Sequence, residues 1–272
     1  MATTVKKLNG SIGARIEGID FRAGVSEFDL QAIKGALAEH HAVCIPAKEM
    51  SPEQHLQIAL FFGEPEHHQF FPNLGKGLEY ITVLDSAKGE RADMWHSDEQ
   101  FMPTPPLFTF THAKLLPEFG GETGFISLCA AYDALSNGMK CYLGELNAVH
   151  DYAMIMELSR QYGIAKASDV AKILDSDQCA THPLVNIHEP SGRHTLFASP
   201  TYTRFIEDLP PLESRTILNF LYEHFQKPEF QYRHRWLEGD MMIWDNRCTL
   251  HYALNDYDQQ RKMHRISVLP RA

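Results

Sequence analysis

Residues 240–252 read Asp240-Met-Met-Ile-Trp-Asp-Asn-Arg-Cys-Thr-Leu-His-Tyr252, an apolar run of strand length that passes into a polar turn. A short apolar run bounded by Asp and Asn reads as a strand. The same texture spreads outward from it. Past Leu78 the chain carries YITVLD at 80–85, LFTFTHAKLL at 107–116, GFISL at 124–128, HTLFAS at 194–199, FQYRHRW at 230–236 and HRISVLP at 264–270. Gly, Pro, Asp or Asn separates these runs, the punctuation of many short strands.

Helices are expected around that sheet-rich core. Residues 25–40 (VSEFDLQAIKGALAEH) place Phe28, Ile33 and Leu37 at helical spacing, and residues 41–46 (HAVCIP) then read as a short buried strand. Ser51-Pro-Glu-Gln marks a helix start with proline in its first turn. Residues 212–225 put Ile217, Phe220, Leu221 and Phe225 on one helical face. The pattern predicts an α/β chain with a mainly β core, a barrel-like pair of sheets with flanking helices. No repeat or Ser/Gly-rich linker interrupts it, and Met102-Pro-Thr-Pro-Pro106 is too short to separate domains, so residues 1–272 are expected to form one domain.

Twenty-five Lys and Arg against 35 Asp and Glu give a formal charge of −10. Such a balance argues against nucleic acid or an anionic membrane as partner, because phosphate surfaces demand a basic face. Any anionic ligand must be met by a few local cations. The five cysteines are odd in number, scattered and without a CxxC pair, so free thiols in a reducing cytoplasm are expected. Neither a signal-peptide stretch nor a run approaching about 18 apolar residues is visible, which also predicts a cytoplasmic protein.

Chemistry concentrates in Met94-Trp-His96-Ser-Asp98-Glu-Gln-Phe101. On a strand, His96 and Asp98 point to one face and can reach one ion, while Ser97 points away. Fifteen histidines offer many third ligands, of which His251 is singled out by its place where the apolar strand meets the polar turn. Two imidazoles and one carboxylate leave three positions open, the arrangement of non-haem Fe(II) oxygenases. An HxD pair alone is a weak signal. It gains weight from Arg261-Lys-Met-His-Arg265, whose two arginines share a face of a strand and can enter the same cavity.

With these segments in place, the chain resembles the taurine dioxygenase family, which includes phenoxyacetate-degrading oxygenases. The matching stretches are Gly18-Ile-Asp, Phe62-Gly-Glu, Trp95-His-Ser-Asp98, Gly120-Gly-Glu-Thr123, Ala130-Ala-Tyr-Asp-Ala-Leu-Ser136, Lys227-Pro-Glu-Phe-Gln231, and Trp244-Asp-Asn-Arg247 through His251 to Arg265. They cover nearly the whole chain. The resemblance implies a double-stranded β-helix (jelly roll, cupin-like), Fe(II) held by His96, Asp98 and His251, and 2-oxoglutarate and O2 as co-substrates. It further implies that Arg261, helped by Thr123, grips the distal carboxylate of 2-oxoglutarate, a task suited to a bidentate guanidinium.

By the same resemblance, Arg265 meets the anionic head of the substrate, a carboxylate or sulfonate, and His68 contacts it. Phe71 stands where the taurine enzymes carry tyrosine, and Ala92 where they carry asparagine. A more apolar pocket follows, and taurine is not the expected substrate. The retained Asp98 favours hydroxylation over halogenation. Tyr202 is a further candidate for the pocket wall. The expected reaction is hydroxylation coupled to release of succinate and CO2.

Two other readings use the same ligands: a metal-binding jelly roll without turnover, and a zinc hydrolase. Against the first stand Thr123 and the two arginines, which a mere metal holder does not need. A homo-oligomer is left open. The doublets His40-His41 and His67-His68 are not expected to share an ion, since strand neighbours point to opposite faces. His182, His188, His194, His224, His234 and His264 show no carboxylate at ligand spacing and are read as structural or surface residues. Trp95 and Trp244 are read as packing beside the ligands.

Overall fold

The computed structural model describes residues 3–68, 72–88, 93–153 and 179–271. An N-terminal hairpin, β1 (Thr4–Lys7) and β2 (Ala14–Glu17), leads into α1 (Glu27–His40). That helix begins in a capping box, Ser26 Oγ accepting from Asp29 N while the Asp29 carboxylate accepts from Ser26 N. It ends where His41 enters the left-handed region at φ 63° and its N–H reaches the Leu37 carbonyl. Next come β3 (Ala42–Pro46), α2 (Pro52–Phe62), β4 (Glu64–Pro65) and β5 (Thr82–Asp85). Ser51 and Gln54 form a second capping box at the start of α2.

The middle of the chain supplies β6 (Phe108–Leu115), β7 (Thr123–Ser127), α3 (Leu128–Asp133), α4 (Asn137–Leu143) and β8 (Asn147–Asp151). Then follow β9 (Cys179–Pro183), β10 (Val185–His188), β11 (Arg193–Leu196), β12 (Thr203–Ile206) and α5 (Pro211–Phe225). The chain closes with β13 (Gln231–His234), β14 (Asp240–Asp245), β15 (Thr249–Ala253) and β16 (Lys262–Leu269).

An eight-stranded sheet runs β1-β2-β3-β14-β6-β16-β4, with β5 also paired to β16, and a three-stranded sheet runs β13-β7-β15. Side-chain parity shows how they face. Along β14, Met241 and Ile243 join Val43, Ile45, Phe108 and Phe110 against α1 and α2. Met242 and Trp244 turn the other way, toward Phe125 of β7. On the small sheet, Ile126 and Leu250 face outward onto Leu218, Leu221 and Phe225 of α5. The result is a jelly roll: helices, large sheet, inner layer, small sheet, helices. Among the described residues no helix is long and apolar enough to cross a membrane.

The apolar runs expected as strands are present, although His96 and Asp98 do not share one, and two helical faces differ from the expectation. Phe28 is 71% exposed and Phe220 41% exposed, because α1 buries Ile33, Ala36 and Leu37 and α5 buries Leu218, Leu221 and Phe225 instead. Aromatic residues at helical spacing fit two adjacent stripes, and only packing chooses between them.

Candidate active site

Parity also builds the site. On β16 the odd-numbered Met263, Arg265 and Ser267 face the inner layer, as do Thr109 of β6 and Thr123 and Phe125 of β7. His251 lies on β15 past the turn, not in the turn itself, and is buried beside Phe125 and Trp244, whose ring centroids stand 6.4 and 4.6 Å from its own. His96 pairs with His251 in an isolated bridge through two backbone hydrogen bonds, 3.1 and 2.8 Å. Asp98 is in the turn that follows. The expectation that a strand aims His96 and Asp98 together is therefore corrected: one bridge and one turn do so.

The three donors converge. His96 Nε2 is 3.7 Å and His251 Nε2 3.6 Å from Asp98 Oδ1, and the three ligand atoms all lie within 4.8 Å of one another. His96 Nδ1 is 2.7 Å from the Met94 carbonyl, which makes it the protonated nitrogen and leaves Nε2 with its lone pair facing inward. Burial pushes both imidazoles below their ordinary pKa, so both are neutral. For Asp98 burial acts in the opposite sense, raising the pKa. Arg265, the two imidazoles and the Thr109 hydroxyl outweigh it and hold the carboxyl well below the usual range.

A hydrogen-bond chain fixes that carboxylate. Thr109 Oγ1 donates to Asp98 Oδ2 at 2.5 Å and accepts from Asn246 Nδ2 at 2.9 Å. Asn246 Oδ1 accepts from Asp98 N at 3.3 Å and from Trp244 Nε1 at 3.0 Å. Trp95 lies over Gly124, where a Cβ would meet its Cη2 at 2.9 Å. Glycine is thus required at 124 by close approach alone.

The two arginines enter the same interior in different company. Arg265 Nη2 donates to Asp98 Oδ1 at 3.0 Å and Ser267 Oγ at 3.1 Å. Arg261 is half-buried with its guanidinium 5.7 Å from the Trp236 ring centroid and a side-chain hydrogen bond to Tyr257, and among the described residues it has no carboxylate within ion-pair distance. Trp236 Nε1 donates to Thr123 Oγ1 at 2.9 Å, which leaves the Thr123 proton free to be donated onward. Gly121, at φ +69°, admits the Arg261 side chain: a Cβ there would stand 3.1 Å from Arg261 Cδ.

Tyr202 is buried with its ring 6.3 Å from that of His96 and 5.2 Å from Phe101. His68 Nε2 is 3.6 Å from Glu99 Oε1. Burial and Arg265 lower the His68 pKa to about 4. Phe71 and Ala92 lie outside the described residues. Glu99, left-handed at φ 47°, is a wall residue the sequence reading passed over, and burial and its hydrogen bond with Glu66 push its carboxyl pKa up. Thr109, Asn246 and Trp236 were also passed over. Each acts through a partner distant in sequence; Trp236 and Thr123 are 113 residues apart.

A jelly roll whose inner layer gathers two neutral imidazoles, one ionised carboxylate and two buried guanidinia defines a metal-dependent enzyme of the oxygenase type. Residues 4–267 match the family described as taurine catabolism dioxygenase TauD, TfdA family, and the chain belongs to it. It is 32% identical to an alkylsulfatase of Acinetobacter baylyi over 97% of this chain and 84% of that one. It is 31% identical to an alpha-ketoglutarate-dependent sulfate ester dioxygenase of Pseudomonas putida, over 96% and 87%. The structure of a taurine dioxygenase from Burkholderia xenovorans superposes with TM-score 0.83 at 27% identity, covering 98% of this chain and 89% of that one. AAD-2 in complex with Mn(II) and N-oxalylglycine superposes with TM-score 0.82 at 26% identity, covering 99% and 98%. The protein is an alpha-ketoglutarate-dependent dioxygenase, and its jelly roll is the one expected from sequence. Membership sets aside the metal-holder and zinc-hydrolase readings.

Proposed function

We propose that the metal is Fe(II) held by His96 Nε2, Asp98 Oδ1 and His251 Nε2, that Arg261 and Thr123 take the distal carboxylate of 2-oxoglutarate, and that a small organic anion held by Arg265 is hydroxylated. The observation that carries this reading is the meeting of three donor atoms within 4.8 Å beside Arg261 and Arg265, each with a buried Nε that has no hydrogen-bond partner. The residues fit the groups assigned to them. A His/Asp/His set with open positions suits Fe(II), and a guanidinium with no carboxylate partner and a buried, unbonded Nε, as at Arg261, suits a carboxylate.

Bound there with 2-oxoglutarate and O2, the iron supplies an oxidant that places a hydroxyl on the substrate, with succinate and CO2 as co-products. The protein's part is positional. The Met94 carbonyl fixes the His96 tautomer, Thr109 and Asn246 fix Asp98, and Trp236 orients Thr123. Tyr202 and Phe101 keep water from the His96 side of the interior. Asp98, held ionised, favours hydroxylation over chemistry that needs its place vacated.

We place the substrate among sulfate esters, sulfonates and aryloxy carboxylates. The relatives are named for sulfate esters and, at 29% identity in Cupriavidus pinatubonensis, for 2,4-dichlorophenoxyacetate. Phe71 and Ala92 move it away from taurine. We further place the enzyme in the cytoplasm as one domain, with no nucleic-acid or membrane partner; its exposed Cys141 is a free thiol, which fits a reducing compartment.

A succinate-release screen over these classes, run on Fe(II)-loaded protein, tests turnover and substrate together. The expected result is a weak visible charge-transfer band on anaerobic addition of 2-oxoglutarate, and succinate with at least one member of the panel. Absence of both sinks the proposal.

A further inference from the structure

Four side chains from four separate segments meet at a second place. His41 follows α1, Cys129 lies in α3, His188 ends β10 and Cys248 sits in the turn between β14 and β15. One donor atom from each lies within 4.8 Å of all the others. All four residues have no exposed surface, and none belongs to the His96, Asp98 and His251 cluster.

One nitrogen of the four is left unbonded, while Cys248 Sγ donates to the Asp245 carbonyl at 3.9 Å and Cys129 hydrogen-bonds Cys248. His41 Nδ1 is 3.4 Å from Ser127 Oγ, but His41 Nε2 is buried without a partner. An unsatisfied buried nitrogen costs about 1–3 kcal/mol. Cys129 and Cys248 are free thiols placed side by side, with no disulfide between them. The His188 ring meets the His41 ring edge-on at 5.2 Å. Its Nδ1 is 2.7 Å from Ser191 Oγ and its Nε2 3.0 Å from Asp245 Oδ2. Asp245 is itself held by Arg247 at 2.9 and 2.5 Å, so a carboxylate stands behind a ligand-type histidine, as in metal sites with an oriented outer shell.

We propose that His41, Cys129, His188 and Cys248 form a closed four-coordinate site for Zn(II) or a similar soft divalent ion. Two sulfurs and two nitrogens are the donor set of structural zinc, with none of the open positions that oxygenase iron requires. Binding converts two thiols to thiolates and releases two protons to solvent, while His188 exchanges one of its two hydrogen bonds for the metal bond. The site then ties the α1–β3 corner, α3 and β10 to the turn that carries the chain into His251, three residues beyond Cys248. Nothing in the sequence points to it, since the cysteines lack CxxC spacing and His41 and His188 are each set aside singly; the fold supplies the proximity.

The test uses the full chain purified without chelator. After a mild chelator strips the iron from the three-ligand, open site, metal analysis is expected to find one equivalent of zinc retained by the closed one. Protein exchanged with Co(II) is expected to show a near-ultraviolet thiolate-to-cobalt band, which the sulfur-free active site cannot give. Cys129→Ser and Cys248→Ser should each lose both signals, and Asp98→Ala should keep both. Cobalt-loaded wild type without a thiolate band overturns the proposal, as does a zinc equivalent that Cys129→Ser retains, or a Cys129–Cys248 disulfide in the purified protein. The wild-type spectrum decides alone where a serine variant does not fold.

Discussion

Replacing Thr109 by valine isolates the hydrogen bond that holds Asp98. Valine nearly matches threonine in shape and suits the strand position, so β6 keeps its packing and no cavity opens. Two bonds vanish. The one to the carboxylate is charge-assisted and contributes about 1.5–3 kcal/mol, and the one from Asn246 Nδ2 about 0.5–1.5 kcal/mol. If the first appeared wholly in protonation, the Asp98 pKa would rise by about 1–2 units at 1.36 kcal/mol each. Because Arg265 and the imidazoles hold it far below its ordinary value, the carboxylate stays ionised at neutral pH. The loss is thus one of position, and losing such a partner costs about 10–100-fold in metal affinity. Anaerobic Fe(II) titration in the presence of 2-oxoglutarate, read by the charge-transfer band, measures it. Thr109→Ser keeps the hydroxyl and should bind nearly as tightly as wild type. Valine and wild type binding Fe(II) equally well refutes the reasoning; serine as weak as valine assigns the effect to packing.

Trp236→Phe keeps the ring near Arg261 but removes the donor to Thr123, and should raise KM for 2-oxoglutarate by about 3–10-fold, the worth of one neutral hydrogen bond, with little change in substrate KM; equal changes in both contradict the assignment. Arg265→Gln frees the Asp98 oxygen that the guanidinium now occupies, so Fe(II) should bind at least as tightly while KM for the organic anion rises by about 10²-fold from loss of charge-assisted contacts; weaker iron binding would falsify the proposed division of labour. Burial holds His150 near pKa 3, His112 near 4 and His55 well below 6.5. These rings are neutral in the fold and protonate on unfolding, so their stabilisation is complete above about pH 6.5 and is lost as pH falls. The slope approaches about 1.4 kcal/mol per unit for each ring, or about 4 for the three, below pH 6. Urea midpoints that stay level from pH 7 to pH 5 contradict this.

How much of this was legible beforehand depends on the range of the contacts concerned. β14 spans Asp240–Asp245, the run DMMIWD itself, because a strand buried on both faces announces itself without reference to neighbours. Both capping boxes are local and equally readable at Ser51, where Pro52 follows. Phe28 and Phe220 misled because an amphipathic stripe is chosen by what covers it. The three donors were legible as a set, yet their geometry was not: Asp98 leaves the bridge of His96 through a turn, and Thr109, eleven residues on, holds it in place. His188 looked unpartnered in sequence, whereas Asp245 lies 57 residues away and 3.0 Å distant. Tertiary pairing of that kind leaves no periodic trace in either segment.

The contrast between the two arginines explains why one interior can distinguish two anions. Arg265 already has a counter-ion in Asp98, and its burial is compensated before any ligand arrives. An incoming anion must compete for that guanidinium, so binding at Arg265 is conditional on what Asp98 is doing. Arg261 is otherwise placed: burial acts against its charge and outweighs the hydrogen bond to Tyr257, an aromatic face and not a carboxylate lies beside it, and its Nε is without a partner. A buried cation without a counter-ion is costly, and an anion that supplies two acceptors in the plane of the guanidinium removes that cost. On the proposed assignment, affinity for the distal carboxylate of 2-oxoglutarate is built into Arg261 as relief of an existing penalty, whereas affinity for the organic anion at Arg265 depends on the Asp98 carboxylate that already pairs with it. That assignment predicts that metal and 2-oxoglutarate bind before the substrate, and a substrate Kd unchanged by omitting both would contradict it.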